Sequence, residues 1–296
     1  MKKIGLYGQN IRVENLSYLI RFLEYMDKRS IEVHIEQLFL KTLKGFKVLK
    51  ALDTPSFSEE KTLDKDFQLV FTFGGDGTIL SALTFVRDSG IPIVGVNTGN
   101  LGFLATFNKN AFIEKLDRIL EQKLQPIARS LLWVESNEEI FKKKFMPFAL
   151  NECAVLRKET TAMITVEAYI NEEFLTSYWA DGLILSTPTG STGYSLSCGG
   201  PIIIPENKNF VLTPVAPHNL FARPLIIPDD QRIRLKVHSR TQDYSLSLDA
   251  RIQSLKTQTE LTIKKAPFNI YIIQDEGQTY YKTLREKLLW GADQRN

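Results

Sequence analysis

Cysteine and histidine are scarce in this chain, with two of the former and three of the latter among 296 residues. Cys153 and Cys198 lie far apart in no metal-like spacing, and none of His34, His218 and His238 neighbours another His or a Cys. A disulfide framework and a zinc site are thereby excluded, and a reducing, cytoplasmic address is expected. Long apolar runs are missing too, so no helix is expected to span a bilayer. The opening MKKIGLYGQNIRVEN loses its apolar character at Gln9 and reads as no targeting segment. Charge of one sign is also absent. Lys+Arg 37 against Asp+Glu 34 leaves +3, too balanced for a protein whose work is neutralising a nucleic-acid backbone. What remains is ordinary globular material, 43% hydrophobic and 24% charged, long enough at ~150 residues per domain for about two domains.

Residues 3–7 read as a buried strand, 11–28 carry apolar residues at helical spacing, and 31–39 read as the next strand. That is a β-α-β unit of a parallel sheet. The run FQLVFTF at 67–73 is a further strand that ends in Gly-Gly-Asp-Gly before a helical pattern at 79–87, and 91–96 supplies the strand after it. The polar stretch 41–65, punctuated by Pro55, reads as a long surface loop with room for one broken element. A helix is expected at 111–124. Beyond Pro126 the chain turns to short runs rich in Thr, Val, Ile and Tyr, at 131–136, 149–156, 163–170, 182–186, 232–237, 244–248 and 261–264. Such repetition predicts a mainly antiparallel β domain. Residues 280–290 are helical again. The fold class expected is α/β plus all-β: a Rossmann-like α/β domain over 1–125, a β-rich, sandwich-like domain over 126–274, and a tail, 275–296, returning to the first domain.

Two motifs carry chemistry. Gly74-Gly75-Asp76-Gly77-Thr78 sits where a strand gives way to a helix, the place at which α/β sheets bind ligands. Glycines let a phosphate approach the backbone or adopt positive φ, and free N–H groups at a helix start attract negative charge. Asp76 would repel a bare phosphate, so it fits a hydroxyl, a proton in flight or a bridging cation. A tight turn with Asp76 as a cap is the other reading. The string matches neither a Walker loop nor GxGxxG. A second small-residue loop, Asn97-Thr98-Gly99-Asn100-Leu101-Gly102-Phe103, follows the next strand and favours a phosphate or nucleotide site. The segment from Asp181 to Pro201 opens from an apolar strand into a dense run of hydroxyls and glycines, suited to ribose, amide and phosphate oxygens, with Tyr194 offering a flat face. Asn151-Glu152, inside FALNECAVL, either faces water or binds something, since burying the pair unpartnered is costly.

Taken together, GGDGT at Gly74, NTGNLGFLA at Asn97, NE at Asn151, DGLILSTPTGSTGYSLSCGGPIIIP at Asp181 and ARPLIIP at Ala222 resemble the NAD kinase family. The ordered set covers most of the chain, and TLREKLLW resembles that family's ending. GGDGT alone is shared with lipid kinases and 6-phosphofructokinases, whereas the Asp181 segment is specific. The resemblance implies transfer of the γ-phosphoryl of ATP, or of inorganic polyphosphate, to the 2′-hydroxyl of the adenosine ribose of NAD, giving NADP. It implies Asp76 as the catalytic acceptor of the hydroxyl proton, beside Gly77 at the NAD, and Gly74, Gly75 and Thr78 at phosphate. Asn151 and Glu152 would hold the ribose, and Asp181, Thr192, Gly193, Tyr194, Ser195, Leu196 and Ser197 would line the rest of the NAD pocket. It implies a divalent cation, Mg2+, with protein ligands unassigned, and a homo-dimer or homo-tetramer.

The chain departs from the family pattern at four positions. Trp179 stands where many relatives carry a basic residue, Gly193 where many have Ala, Ala162 where many have His or another base, and Arg251 where Gln or Asn is common. Arg251 is expected to compensate for positive charge missing at Trp179 and Ala162. Two alternatives stay open at this point: a lipid kinase sharing the GGDGT site, which would have no use for the Asp181 segment, and a non-catalytic NAD-binding protein, against which the intact GGDGT argues.

Overall fold

The computed structural model describes residues 2–58, 63–141, 146–158 and 162–291. The chain forms two units, residues 1–128 with 270–296 and residues 129–269. Residues 292–296 of the expected returning tail lie outside the described residues.

The first unit begins with β1 (Lys3–Gly8), buried over nearly its whole length, as strands covered on both faces are. α1 (Leu16–Lys28) turns Leu16, Leu19, Phe22 and Met26 inward, and Phe22 meets Phe71 and Phe73 with ring centroids 5.0 and 5.4 Å apart. β2 (Glu32–Glu36) stops earlier than its apolar run suggests. The Glu36 carboxylate accepts the N–H groups of Leu38 and Phe39, at 3.1 and 2.8 Å, and so caps α2 (Gln37–Lys44). The stretch expected to be a loop therefore starts inside a helix and also holds β3 (Ser56–Phe57), while its residues 59–62 lie outside the described ones. Then come β4 (Phe67–Gly74), α3 (Asp76–Val86), β5 (Ile93–Asn97), β6 (Phe107–Asn108), α4 (Lys109–Leu120) and β7 (Ile127–Arg129).

The sheet order is β3-β2-β1-β4-β5, continued by the returning strand Ile270–Ile273 and β7, with β6 also paired to β5. The pairings among β1 to β6, and of the returning strand with β5, are parallel. The order runs from β1 outward to β3, then resumes at β4 on the other side of β1. That reversal is a topological switch point, where the loops beyond the carboxyl ends of neighbouring strands part and leave a crevice. The turn after β4 opens there. The closing helix, Tyr280–Leu288, starts at Thr279, whose hydroxyl accepts the Lys282 N–H, and Lys115 pairs with Asp275 at 2.5 Å.

The second unit holds β8 (Leu132–Ser136), β9 (Phe148–Ala149), β10 (Glu152–Arg157), β11 (Ile164–Ile170), β12 (Glu173–Ala180), β13 (Gly182–Ser186), the one-turn helix α5 (Tyr194–Ser197), β14 (Asn209–Val215), β15 (Leu225–Pro228), β16 (Ile233–His238), β17 (Asp243–Leu248), β18 (Arg251–Lys256) and β19 (Leu261–Lys265). They form two antiparallel sheets, β15-β14-β13-β10-β17-β18 and β12-β11-β16-β19-β8-β9. Period-two alternation turns Ile164, Val166 and Ala168 of β11 and Tyr244, Leu246 and Leu248 of β17 into one shared core. The expected α/β plus β-rich architecture is what the chain adopts. No helix among the described residues is long and apolar enough to cross a membrane.

Candidate active site

In the first unit the Gly74–Thr78 turn is shaped by what its glycines lack. A Cβ on Gly74 would fall 2.0 Å from Thr78 Oγ1, so β4 and α3 can pack this closely only with glycine there. Gly75 and Gly77 have nothing within 4 Å of a notional Cβ, which leaves their backbone open to a ligand. None of the three has positive φ, so the turn uses their small size and not their conformational range. Asp76 is the first residue of α3, where a negative charge is favoured by the helix dipole. It does not cap its own helix. Its Oδ2 accepts the N–H of Phe103 at 2.7 Å, and its Oδ1 those of Leu104 and Ala105 at 3.0 and 2.9 Å. The Asn97–Phe103 loop is thus bound directly to the GGDGT carboxylate. A Cβ on Gly102 would lie 1.9 Å from Asp76 Oδ1. The loop is held in turn by Asn97, whose side chain donates to Asn100 O at 2.7 Å and accepts from Gly99 N at 2.8 Å. A carboxylate offers about four lone-pair directions. Oδ1 has used two and Oδ2 one, which leaves Oδ2 able to accept one more proton donor.

In the second unit Asn151 and Glu152 stand at the start of β10, next to the hydroxyl-rich turn that follows β13. The Thr187 N–H donates to Asn151 O at 2.9 Å, and a Cβ on Gly190 would come within 2.1 Å of that same oxygen. Burial, followed by the nearby Asp249 charge, pushes the Glu152 carboxyl up to about 7, against a lowering hydrogen bond from the Tyr194 backbone. Its Oε2 is buried with no partner among the described residues. Gly193 keeps the approach clear, since a Cβ there would lie 3.0 Å from Glu152 Oε2 and 3.6 Å from Asn151 Nδ2. Tyr194 is half-exposed, and burial raises its hydroxyl, with Cys198, Asp181 and Glu152 adding to the shift. Asp181 pairs with Arg157 at 3.0 Å. The fold therefore gathers Asn151, Glu152, Asp181, Gly193 and Tyr194 from three separate stretches of sequence.

The hydroxyl density of the Asp181 segment proves to be largely internal. Thr187 Oγ1 donates to Leu150 O at 2.5 Å, Ser191 Oγ donates to Pro188 O and accepts from Ile203 N at 2.7 and 2.9 Å, and Ser195 Oγ meets Thr213 Oγ1 at 2.8 Å. The Ser195 side chain is fully buried. Thr192 and Leu196 are half-buried and Ser197 exposed, which leaves those side chains accessible. Arg251, expected to compensate for missing positive charge, is tied to its own chain. Its guanidinium donates to the carbonyls of Met146, at 2.8 Å, and Phe148, and lies 5.1 Å from the Phe148 ring. It also lies 3.9 Å from Asp249 Oδ2, while Trp179 is exposed and packs against His218 with centroids 4.8 Å apart.

Two family models match the chain, the ATP-NAD kinase N-terminal domain over residues 8–124 and the ATP-NAD kinase C-terminal domain over residues 150–274. The chain belongs to the NAD kinase family. It is 49% identical over 294 residues to the NAD kinase of Christiangramia forsetii and 50% over 294 residues to that of Flavobacterium psychrophilum, covering 99% of this chain and 100% of each relative. In fold it is similar to the yeast NADH kinase solved with NADH, at a TM-score of 0.85 and 24% identity over 100% of this chain and 89% of that one. The NAD kinase from Archaeoglobus fulgidus solved with ATP gives 0.70 and 24%, over 98% of this chain and 97% of that one.

NAD kinase activity, transfer of a phosphoryl group to NAD, is thus this chain's function, and no finding favours a lipid acceptor. Among the described residues no three His, Cys, Asp or Glu side chains gather as a metal cage, and Asp76, the carboxylate of the phosphate turn, already accepts three N–H bonds. Sequence reasoning missed Asp249, a side chain only 3% exposed that lies behind the Asn151-Glu152 pair. The available signal was a two-residue turn, Asp249-Ala250, between the alternating runs of β17 and β18.

Proposed function

We propose that the enzyme phosphorylates the 2′-hydroxyl of the adenosine ribose of NAD, with ATP as the donor. The observation that carries this reading is the buried, unpartnered Oε2 of Glu152. Leaving such an acceptor unmet costs about 1–3 kcal/mol, and a ribose hydroxyl is a donor of the right size to meet it. Asn151 beside it adds an amide donor and acceptor, Tyr194 a ring face, and Asp181, Thr192, Gly193, Leu196 and the exposed Ser197 the remaining lining. Ser195 supports this turn from within. In the first unit, Gly75 and Gly77 present bare backbone to the donor's phosphates, while Gly74 and Thr78 set the turn.

The chemistry follows from Asp76. As the ribose oxygen forms its bond to the γ-phosphorus, the hydroxyl proton passes to Asp76 Oδ2, the oxygen with a lone pair to spare, and the bond between the γ-phosphorus and the β–γ bridging oxygen breaks to release ADP. Three amide bonds hold the carboxylate so that positioning costs nothing at the moment of transfer. Mg2+ on the donor phosphates would neutralise charge as it redistributes. ATP is favoured over polyphosphate because the matched family is described as ATP-NAD kinase and the Archaeoglobus fulgidus neighbour was solved with ATP. Low cysteine content supports a cytoplasmic setting.

We also infer a homo-oligomer. In the second unit a groove of about 530 Å³ runs between β12, an edge strand, and residues 219–225, where Leu220 and Phe221 are 84% and 91% exposed. Exposed apolar side chains gathered beside an edge strand are a surface that another copy of this chain would cover. Light scattering of wild type and Phe221→Asp tests it, with a smaller particle expected for the variant and an unchanged one refuting the groove's role. The function itself is tested by incubating the enzyme with NAD, Mg2+ and either ATP or polyphosphate and resolving the products by phosphorus NMR. A 2′-phosphomonoester formed with ATP supports the reading. A 3′-phosphate, or a product with polyphosphate alone, overturns the position or the donor.

A further inference from the structure

Asp249 makes more hydrogen bonds to the Leu150–Glu152 turn than any side chain of that turn makes to it. Its Oδ2 accepts the Leu150 N–H at 3.0 Å, and its Oδ1 accepts those of Asn151 and Glu152 at 2.7 and 3.3 Å. Its own N–H donates to Glu152 O at 3.0 Å. Asp249 reaches these amides from the two-residue turn between β17 and β18, where it holds φ 52°, a left-handed conformation uncommon outside glycine, asparagine and aspartate. A carboxylate that is 3% exposed, in an uncommon backbone conformation and with its acceptors committed to three successive amides of one turn, is more than that turn needs to close. Arg251, two residues on, fastens the chain just ahead of the same turn through the carbonyls of Met146 and Phe148.

We propose that Asp249 is a positioning residue for the acceptor: by holding the amides of Leu150, Asn151 and Glu152 it fixes the two side chains that grip the ribose of NAD. The proposal rests on the reading above, in which Asn151 and Glu152 bind that ribose. Asp249 touches neither substrate nor phosphate. It acts through the pair, first by geometry and second by its charge, which sits behind the Glu152 carboxyl and opposes its ionisation. The groups that face Glu152 are Asp249 from the β17–β18 turn, Cys153 beside it in β10, and Tyr194 from α5, which Asp181 also approaches, with Arg251 countering the Asp249 charge. Loss of the Asp249 charge would therefore let Glu152 ionise at lower pH, a consequence that a purely structural role does not entail.

The test compares wild type, Asp249→Asn and Glu152→Gln by steady-state kinetics from pH 5.5 to 9, with ATP saturating. At the alkaline end Asp249→Asn is expected to raise KM for NAD about tenfold, with kcat within about threefold, and to move the inflection in kcat/KM for NAD to lower pH. Glu152→Gln is expected to abolish that inflection. If Asp249→Asn matches wild type in KM and in inflection, the proposal is overturned. If Glu152→Gln keeps the wild-type KM and inflection, the underlying assignment of the ribose pair fails instead, so the two failures are distinguishable. Should Asp249→Asn not fold, hydrogen exchange on the wild-type enzyme decides. Protection of the Leu150, Asn151 and Glu152 amides that increases with NAD supports the proposal, and exchange at open-turn rates with and without NAD refutes it.

Discussion

Gly102→Ala should nearly silence the enzyme by displacing Asp76, while leaving the Asn151-Glu152 pair and the Asp181 segment of the second unit untouched. The added methyl would lie 1.9 Å from Asp76 Oδ1, 2.5 Å from its Cγ and 2.8 Å from its Oδ2. A tolerable contact begins near 3.0 Å, so carboxylate and loop must part by at least about 1.1 Å, the difference between 3.0 and 1.9. That displacement stretches the bonds from Phe103, Leu104 and Ala105, now 2.7 to 3.0 Å long, past the hydrogen-bond range. A 1 Å misplacement of a reacting group costs about 10²-fold in rate, equivalent to about 2.7 kcal/mol of barrier. Losing one charge-assisted amide bond costs about 1.5–3 kcal/mol of stability, and Tm falls by about 2–4 °C for each kcal/mol. Turnover is followed by NADP formation coupled to an NADP-specific dehydrogenase, NAD affinity by calorimetry, and Tm by differential scanning fluorimetry. Gly99→Ala is the control, because nothing lies within 4 Å of a Cβ there. The reasoning predicts kcat down about 10²-fold for Gly102→Ala with NAD affinity kept, and wild-type behaviour for Gly99→Ala. A Gly102→Ala enzyme with kcat within about threefold of wild type refutes it.

Gly77→Ala, whose methyl would meet no atom of this chain, should leave Tm unchanged and raise KM for ATP about tenfold by obstructing phosphate; unchanged KM would show that the donor does not approach there. The Glu152 carboxyl, raised from its ordinary 4.5 to about 7, stays protonated on folding across that window. Its contribution to stability is full below 4.5 and is lost as pH rises through about 7. Glu152→Gln should flatten the fall in Tm between pH 5 and 8, and an equal fall in both proteins would contradict the assignment. Ser195→Ala should lower stability by about 1 kcal/mol through loss of the buried hydrogen bond to Thr213, with KM for NAD within about twofold. A large KM change with stability kept would place Ser195 at the ligand.

Much of this was legible in the sequence, for reasons that differ by element. β4 and β5 announce themselves because strands covered on both faces are continuous apolar runs, and β11 and β17 because one-sided burial imposes period two. β12 was missed because it lies at a sheet edge with most of its side chains part-exposed, so no alternation marks it. β2 was read too long because Glu36 ends it through a side-chain cap that apolar patterning does not register. At the site, GGDGT and the Asp181 segment stand out by composition, yet composition could not say which hydroxyls face a ligand. Ser191 and Ser195 turned out to serve the chain's own turns. Nor could it show that Asp76 binds the Asn97–Phe103 loop or that Asp249 lies behind Glu152, since both are contacts between residues far apart in sequence.

The most direct test of the central claim is to measure NAD affinity and turnover on one preparation of Asp76→Asn. The amide keeps the size of the side chain, loses its capacity to accept the hydroxyl proton, and gives up at least one of the three loop N–H bonds because its NH2 cannot accept. With the second unit unchanged, the account predicts NAD binding within about threefold of wild type and kcat lower by about 10²- to 10⁴-fold, the usual worth of a general base. Turnover at the wild-type rate would contradict it.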